Sequence, residues 1–470
     1  MMRPVVVFGA GSGAAKVIAT LKNVGVKICA VTDNNESKWG TTFCDLKVIP
    51  PLRLKEIDCD IIVASVYQNE IEEQLREYGV LERLVVKERY ISDYIENHMD
   101  EFAILKQTKI DYSKERDIVM GLDYGTLLGG IETLAFMWSK EFQKRGKQVS
   151  LLTIKTEGDI PQELQQSVEY YEEDFEHYFD TIKQIAGILA GHLPCVLIDN
   201  WEGTVLMAAS VIKRIFPEAI RVVSVIHNDR SFLYRRTAYM ESYMDAIAGV
   251  SQSINEHLNS EFGISKDKLF YHPSPVAVEP EIQRNYTLDT DKPLQIGYAA
   301  RIFKSQKRAD LLVPLMLQMN KDGVYYHLHI AGDGEYFEKL KQEVINHKVE
   351  KYCTLYGCIP RETIRDFWKD KDVFINLSDY EGVGLSMLEA MGCGVVPIET
   401  RVAGCYEFIE HGVNGYIVDL QDIQNMSRCI KGLEINRNCL PKMGAYNHEL
   451  ILNKCDQEEY IDYMITLCQA

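Results

Sequence analysis

Two carboxylates bracket a glycine-containing segment in Glu381-Gly-Val-Gly-Leu-Ser-Met-Leu-Glu389, with seven residues between them. The preceding run DVFINLS reads as a strand, Gly382 and Gly384 as a loop, and LSMLEAMG as the start of a helix. That order sets Glu381 at a strand's carboxyl end and Glu389 about one turn into the helix, both over the crevice where open α/β sheets bind ligands. Amides at a helix start suit a diphosphate, and the carboxylates can accept from sugar and ribose hydroxyls. A solvated loop-to-helix junction would explain Glu389 alone, but other residues add to the pattern. Arg301 follows the strand LQIGYAA and Lys307 comes six positions later. Two cations there can neutralise a departing diphosphate without a metal, whereas Lys304 and Arg308 read as surface charge. His227 follows the strand RVVSVI and so stands at another strand's end.

Positioning these residues requires parallel sheets. A β-branched run, a glycine-rich turn and a helical pattern follow one another at VVVF (5–8), DIVMGL (117–122) and LQIGYAA (294–300). The reading is α/β with three doubly wound units: 1–105, 106–285 and 286–445, with a closing helix over 446–470 that packs back on the second unit. The linkers are TKIDYSKERD and EIQRNYTLDTDKP.

The first unit carries Gly9-x-Gly11-x-Gly13-Ala14 between strand and helix, with Asp33 ending the next strand. This is the context of a Rossmann fingerprint, in which glycines admit a pyrophosphate and the acid holds a ribose. No tyrosine of this unit has a lysine four residues on, so a short-chain dehydrogenase proton relay is missing. The Asp-x-Asp at 58–60 recurs at 289–291 and 370–372 and is not read as a metal site. The pieces GAGSGAAKV, AVTDNNESKWG and DCDIIVAS resemble the Rossmann-like N-terminal domain of bacterial polysaccharide-synthesis proteins. That resemblance implies a dinucleotide or nucleotide-sugar there, or a structural role.

Residues 117–420 resemble the retaining GT-B glycosyltransferases of family 4, in which two Rossmann-like domains face a cleft. The resemblance rests on Gly129-Gly130-Ile131-Glu132, Arg301…Lys307, the Ala-Gly-Asp-Gly turn at 331–334, Glu381…Glu389, and Glu407…Asn414-Gly415. It implies that Glu389 binds the nucleotide's ribose and that Arg301 and Lys307 hold the diphosphate with the amides of Gly384, Leu385 and Ser386. It further implies that Glu381 contacts the donor sugar, Gly130 approaches the donor phosphate, and His227 faces the sugar. No cofactor or metal is required beyond the nucleotide-diphosphate sugar, and the acceptor would be a glycan or lipid-linked. Val383, Ala403 and Cys405-Tyr406 depart from the family's usual residues without removing a charge. Two other readings stay open: a nucleotide-sugar oxidoreductase or epimerase working through the first unit, and a non-catalytic nucleotide-sugar-binding protein.

The net charge of −18 argues against a nucleic-acid partner. The charge is uneven, however. Residues 157–180 hold nine acids and no Lys or Arg, while 213–236 holds six cations. Solvated helix faces account for both runs. The segment Arg230-Ser-Phe-Leu-Tyr-Arg-Arg236 also suggests a phosphate-bearing acceptor or peripheral membrane contact. Twelve scattered cysteines without a Cys-x-x-Cys suggest a reducing compartment, and no apolar run reaches membrane-spanning length. The expected location is cytoplasmic, with the inner face of a membrane as the variant. Nothing in the sequence sets the oligomeric state.

Overall fold

The computed structural model describes residues 3–122, 129–155, 160–200, 203–282 and 284–469. The first sheet comprises β1 (Val5–Phe8), β2 (Ile28–Thr32), β3 (Thr42–Phe43), β4 (Leu46–Ile49) and β5 (Asp60–Val63), in the order β3-β4-β2-β1-β5. It is parallel except for the antiparallel edge pair β3–β4. The second comprises β6 (Asp117–Leu122), β7 (Val149–Ile154), β8 (Val168–Tyr171), β9 (Cys195–Asp199), β10 (Ile220–Ile226), β11 (Ala246–Gly249) and β12 (Leu269–Tyr271), ordered β12-β11-β10-β9-β6-β7-β8. The third comprises β13 (Leu294–Ala299), β14 (Tyr326–Ala331), β15 (Cys353–Gly357), β16 (Val373–Asn376), β17 (Val396–Thr400) and β18 (Tyr416–Val418), ordered β15-β14-β13-β16-β17-β18. The opening strands β1, β6 and β13 lie inside their sheets with helices on both faces. That position is why their sequences are continuous apolar runs rather than alternating ones. The second and third units face each other across a cleft, and the first precedes them.

The closing segment is two helices rather than one over 446–470. Leu440–Lys454 packs on helix Leu385–Gly392 and β17 of the third unit. Gln457–Gln469 then crosses to the second, burying Tyr460, Ile461, Met464 and Leu467. The chain breaks at Cys455-Asp456, where the Asp456 carboxylate accepts from the Glu459 amide at 2.9 Å and starts the second helix.

The first unit is docked on the second, not tethered to it. Helix Glu88–Asn97 places Ile91 and Ile95 one turn apart, and both join the second unit's core together with Phe102. Around this apolar contact, Arg235 pairs with Glu72 at 3.2 Å, and Ser231 donates to the same carboxylate at 2.6 Å. Arg214 reaches Ser92 and Glu96 at 2.8 and 3.1 Å, and Arg230 donates to the Val66 carbonyl at 3.2 Å. The basic segment expected to face solvent, a phosphate or a membrane is therefore engaged by the first unit. Arg235 of that segment answers Glu72, and Arg214 on the preceding helix answers Glu96. Part of the acidic run turns the same way: the ammonium groups of Lys16 and Lys87 of the first unit lie over the rings of Phe175 and Tyr178 within that run.

Reversing the buried charge by Glu72→Arg should lower stability by roughly 2 kcal/mol, and adding Arg235→Glu should recover part of the loss in a double-mutant cycle. Thermal or urea melts of the full chain check this.

Candidate functional site

The chain ends of β13, β16 and β17 converge on one cleft. After β13 the chain runs through Arg301 to Lys307 in a loop buttressed by the Ala-Gly-Asp-Gly turn after β14. A Cβ on Gly332 (φ 131°) would fall 1.9 Å from the Ala300 carbonyl oxygen, so only glycine allows that support. Gln306 and Arg308 adopt left-handed conformations with φ of 68° and 50°, which are costly for residues with a Cβ. They are held there by the loop after β16. The Asp379 amide donates to the Gln306 carbonyl at 2.8 Å, and Arg308 donates to both Asp379 oxygens at 3.2 Å. Arg308, read from sequence as surface charge, is thus a clip between two site loops.

Glu381 is 6% exposed. Its Oε1 pairs with the Lys307 ammonium and accepts from Ser378 Oγ at 2.7 Å, while the Gln306 amide stands 3.5 Å from Oε2. Lys307, expected to present its charge to a diphosphate, is therefore committed to Glu381. A buried carboxylate needs a counter-charge more than a solvated cation needs a partner. Arg301 is exposed and, among the described residues, in no ion pair. It stacks near Phe303 and reaches Gln306 Oε1 at 3.4 Å. Across the cleft it influences Glu132, whose carboxyl is raised by burial against the pull of its own amide and of Arg301.

Helix Leu385–Gly392 starts at Gly384 as expected, so the first amides, at Gly384, Leu385 and Ser386, lack intrahelical acceptors. Glu389 lies within this helix, and burial pushes its carboxyl up to about 6, with Arg361 opposing. Arg361 bridges the cleft. Its Nη2 is 3.9 Å from Glu389 and its Nη1 donates to Thr133 Oγ1 of the second unit at 2.5 Å. The sequence reading missed it because nothing in GCIPRET marks a cleft.

The two units touch at close quarters. A Cβ on Gly382 would fall 2.2 Å from the His227 carbonyl oxygen, and one on Gly130 would meet Leu385 at 3.2 Å. Gly130 thus packs on the helix start itself. The His227 side chain turns inward. It is 8% exposed, stacks near Trp138, and its Nε2 lies 3.0 Å from Asn200 Oδ1. Burial lowers its pKa to about 3 and so favours the neutral imidazole; with Asn200 Oδ1 as the acceptor, Nε2 carries the ring hydrogen. Glu407 is a domain clasp, accepting from the Gln252 amide at 2.7 Å and from the Tyr271 hydroxyl.

Glu399 was not singled out in the sequence, although an acid inside the apolar strand VVPIET is itself a signal. It is fully buried, takes the Asn376 side-chain amide on Oε1 at 2.7 Å, and has no partner on Oε2 among the described residues. Burial pushes it up to about 8; the Asn376 bond and Lys307 oppose the rise, and Glu381 adds to it. At neutral pH it is a neutral acid beneath Gly384.

In the first unit, Gly9 lies against the Ala64 carbonyl, while Gly11 and Gly13 open helix Ser12–Asn23 with no atom closer than 3.9 Å to a Cβ. Asp33 does not present a vacant carboxylate. Oδ2 accepts from the Ala10 amide at 2.8 Å and from Lys38 at 2.9 Å, and Oδ1 from the Asn35 amide at 2.8 Å. Burial opposes its ionisation, but these bonds outweigh it and keep its pKa below the ordinary value. The expected ribose ligand thus also braces the glycine loop.

With this geometry in view, residues 279–449 match the family described as Glycosyl transferases group 1, and residues 1–86 match the C2185-like N-terminal family. The first of these matches supports a glycosyltransferase. N-acetyl-alpha-D-glucosaminyl L-malate synthase of Bacillus anthracis is 22% identical over 282 residues, 56% of this chain and 71% of that protein. Poly(ribitol-phosphate) alpha-N-acetylglucosaminyltransferase of Staphylococcus aureus is 28% identical over 176 residues, 37% of this chain and 34% of that protein. The chain thus spans only about a third of the second relative. The solved structure of TarM superposes with a TM-score of 0.63 at 14% identity, covering 77% of this chain and all of that one. Anabaena Alr3699/HepE in complex with UDP-glucose gives 0.63 at 16% identity, covering 75% of this chain and all of that one. These likenesses show the fold, GT-B with an additional α/β unit ahead of it. Among the described residues no helix is long and apolar enough to cross a membrane.

The raised Glu399 carboxyl fixes a pH dependence. Between the ordinary carboxylate value and about 8 the folded state holds a proton that the unfolded state has released, so stability falls as pH rises through that window. Glu399→Gln should flatten the decline and raise the melting temperature at pH 8.5 by a few degrees, with little change at pH 5. Melts across pH 5–9 check it.

Proposed function

We propose that the protein is a retaining, metal-independent glycosyltransferase of the family 4 type. It moves a sugar from a nucleotide-diphosphate sugar to a glycan or lipid-linked acceptor in cell-surface polysaccharide or glycoconjugate synthesis. The observation that carries this reading is the set gathered at one cleft: exposed Arg301, in no ion pair among the described residues, the Lys307–Glu381 pair, the open helix start at Gly384–Ser386, and Glu389 behind it. Three of the named comparisons point the same way: two relatives are named as N-acetylglucosaminyl enzymes or transferases, and one structural neighbour holds UDP-glucose.

In this reading Glu389 accepts from the ribose, and Arg301 and the helix-start amides hold the diphosphate. The arriving diphosphate draws Lys307 away from Glu381, whose carboxylate is then available to the donor sugar's hydroxyls. The bond from the anomeric carbon to the diphosphate breaks, and the acceptor oxygen bonds to that carbon from the same face. The acceptor's proton passes to the departing phosphate oxygen. The protein supplies orientation and charge stabilisation, and neutral His227 with Asn200 shapes the sugar side. The redox alternative is disfavoured because no tyrosine of the first unit has a lysine four residues on.

Incubation with UDP-, GDP- and dTDP-sugars should show slow hydrolysis of one donor without added metal, and Glu389→Ala should weaken the nucleotide's affinity by about tenfold, a loss near 1.4 kcal/mol. Calorimetry and donor-hydrolysis assays read both. Turnover of no donor, together with a change in NAD(P)H absorbance, contradicts the reading.

A further inference from the structure

A cavity of about 340 Å³ lies where all three units meet. Its position follows from the sheet order. Along the third sheet's carboxyl edge, Arg361 follows β15, Arg301 and Lys307 follow β13, and Glu381 follows β16. Beyond Glu381 the edge continues to β17 and β18, and residues after those two strands, Arg401 and Leu420, line the cavity. The second sheet runs alongside in matching order: Gly130 follows β6, His227 follows β10, and the helix carrying His257 follows β11. The cavity therefore extends the cleft on the side of Glu381 away from Glu389 and Arg361. The first unit closes it with Asn69, exposed on the first turn of helix Gln68–Glu77. Arg230 pins that closure, donating to the Val66 carbonyl at 3.2 Å while its guanidinium lies 4.7 Å from the centre of the Tyr380 ring.

The lining states what would fit. Glu261 supplies a carboxylate at 3.9 Å from His257, Asp229 and Asp379 offer the lone pairs left over from Tyr234 and Arg308, Asn69 adds an amide, and Tyr380 and Phe262 add aromatic surface. Arg401 is already paired with Asp419 at 2.7 Å, and His257 with Asp229 at 3.3 Å. Acceptor-rich edges beside aromatic faces suit an uncharged ring with several hydroxyls. They disfavour a phosphate, because the carboxylates of the lining outnumber its cations, each of which has an acid partner among the described residues.

We propose that this cavity is an acceptor subsite for a neutral glycosyl unit, completed by the N-terminal unit through Asn69. The proposal rests on the transferase reading and assigns the additional unit a part in substrate binding.

Saturation-transfer NMR on the full chain tests it, with methyl α-D-glucopyranoside, methyl β-D-galactopyranoside and methyl N-acetyl-β-D-glucosaminide as neutral probes and glucose 1-phosphate as the anionic one. Calorimetry with UDP on the same sample tests the donor reading separately. At least one neutral probe should give a signal, and Asn69→Trp, which adds bulk at an exposed helix position, should weaken its affinity by at least about tenfold. Asn69→Ala, which removes the amide without adding bulk, should weaken it less. A melting temperature for each variant close to that of the unaltered chain assigns the loss to the cavity. UDP binding with no signal from any neutral probe, an Asn69→Trp affinity within twofold of the unaltered chain, or glucose 1-phosphate binding more tightly than the neutral probes in the presence of saturating UDP overturns the subsite. Absence of UDP binding overturns the transferase reading and the subsite with it.

Discussion

One ammonium group serves more acid than it can neutralise. Lys307 pairs with buried Glu381, and Glu399 lies fully buried close enough for its ionisation to feel both. Burying an unpaired carboxylate is expensive, so the arrangement holds with Lys307 on Glu381 and a proton on Glu399. Much of the cleft follows from that. The loop bearing Lys307 bends through two left-handed residues to reach Glu381, and the Arg308–Asp379 clip keeps it bent. Gly382 then lets the Glu381 loop press on the His227 carbonyl, which brings the second unit to the same place.

The same balancing of charge explains the additional unit. An acidic chain carrying a cluster of arginines in its second unit needs acids to face them, and the first unit's Glu72 and Glu96 do so over a shared apolar core. The docked helix Ser231–Met240 follows directly from the loop of His227 and Asn228. Anchoring that helix therefore also fixes one wall of the cleft, and Arg230 carries the contact on to Tyr380, next to Glu381.

The architecture was largely legible because it is written in local patterns. VVVF, DIVMGL and LQIGYAA are strands within a residue of where the periodicity puts them, since a central parallel strand must be apolar on both faces. Glu381, Glu389, Arg301 and the helix start at Gly384 were legible for a related reason: their backbone positions follow from strand ends and helix starts. What one sequence hides is partnership across the fold. The pairing of Lys307 with Glu381, the inward turn of His227 toward Asn200, the capture of Asp33 by Ala10 and Lys38, and the docking of Arg235 on Glu72 join residues 27 to 163 positions apart or, for Asp33, two loops of one unit. The long-range partners leave no trace in spacing. Glu399 is the partial exception, because an acid within an apolar strand announces an unusual environment but not its neighbours.

The account turns on Lys307 changing partner from Glu381 to the donor's diphosphate. Calorimetry of UDP binding to Glu381→Gln tests that exchange directly, since the variant keeps the side chain's shape and removes the competing charge. The account predicts UDP affinity several-fold tighter than in the unaltered chain, while sugar transfer falls by at least about tenfold. UDP affinity that is unchanged or weaker in Glu381→Gln would contradict it.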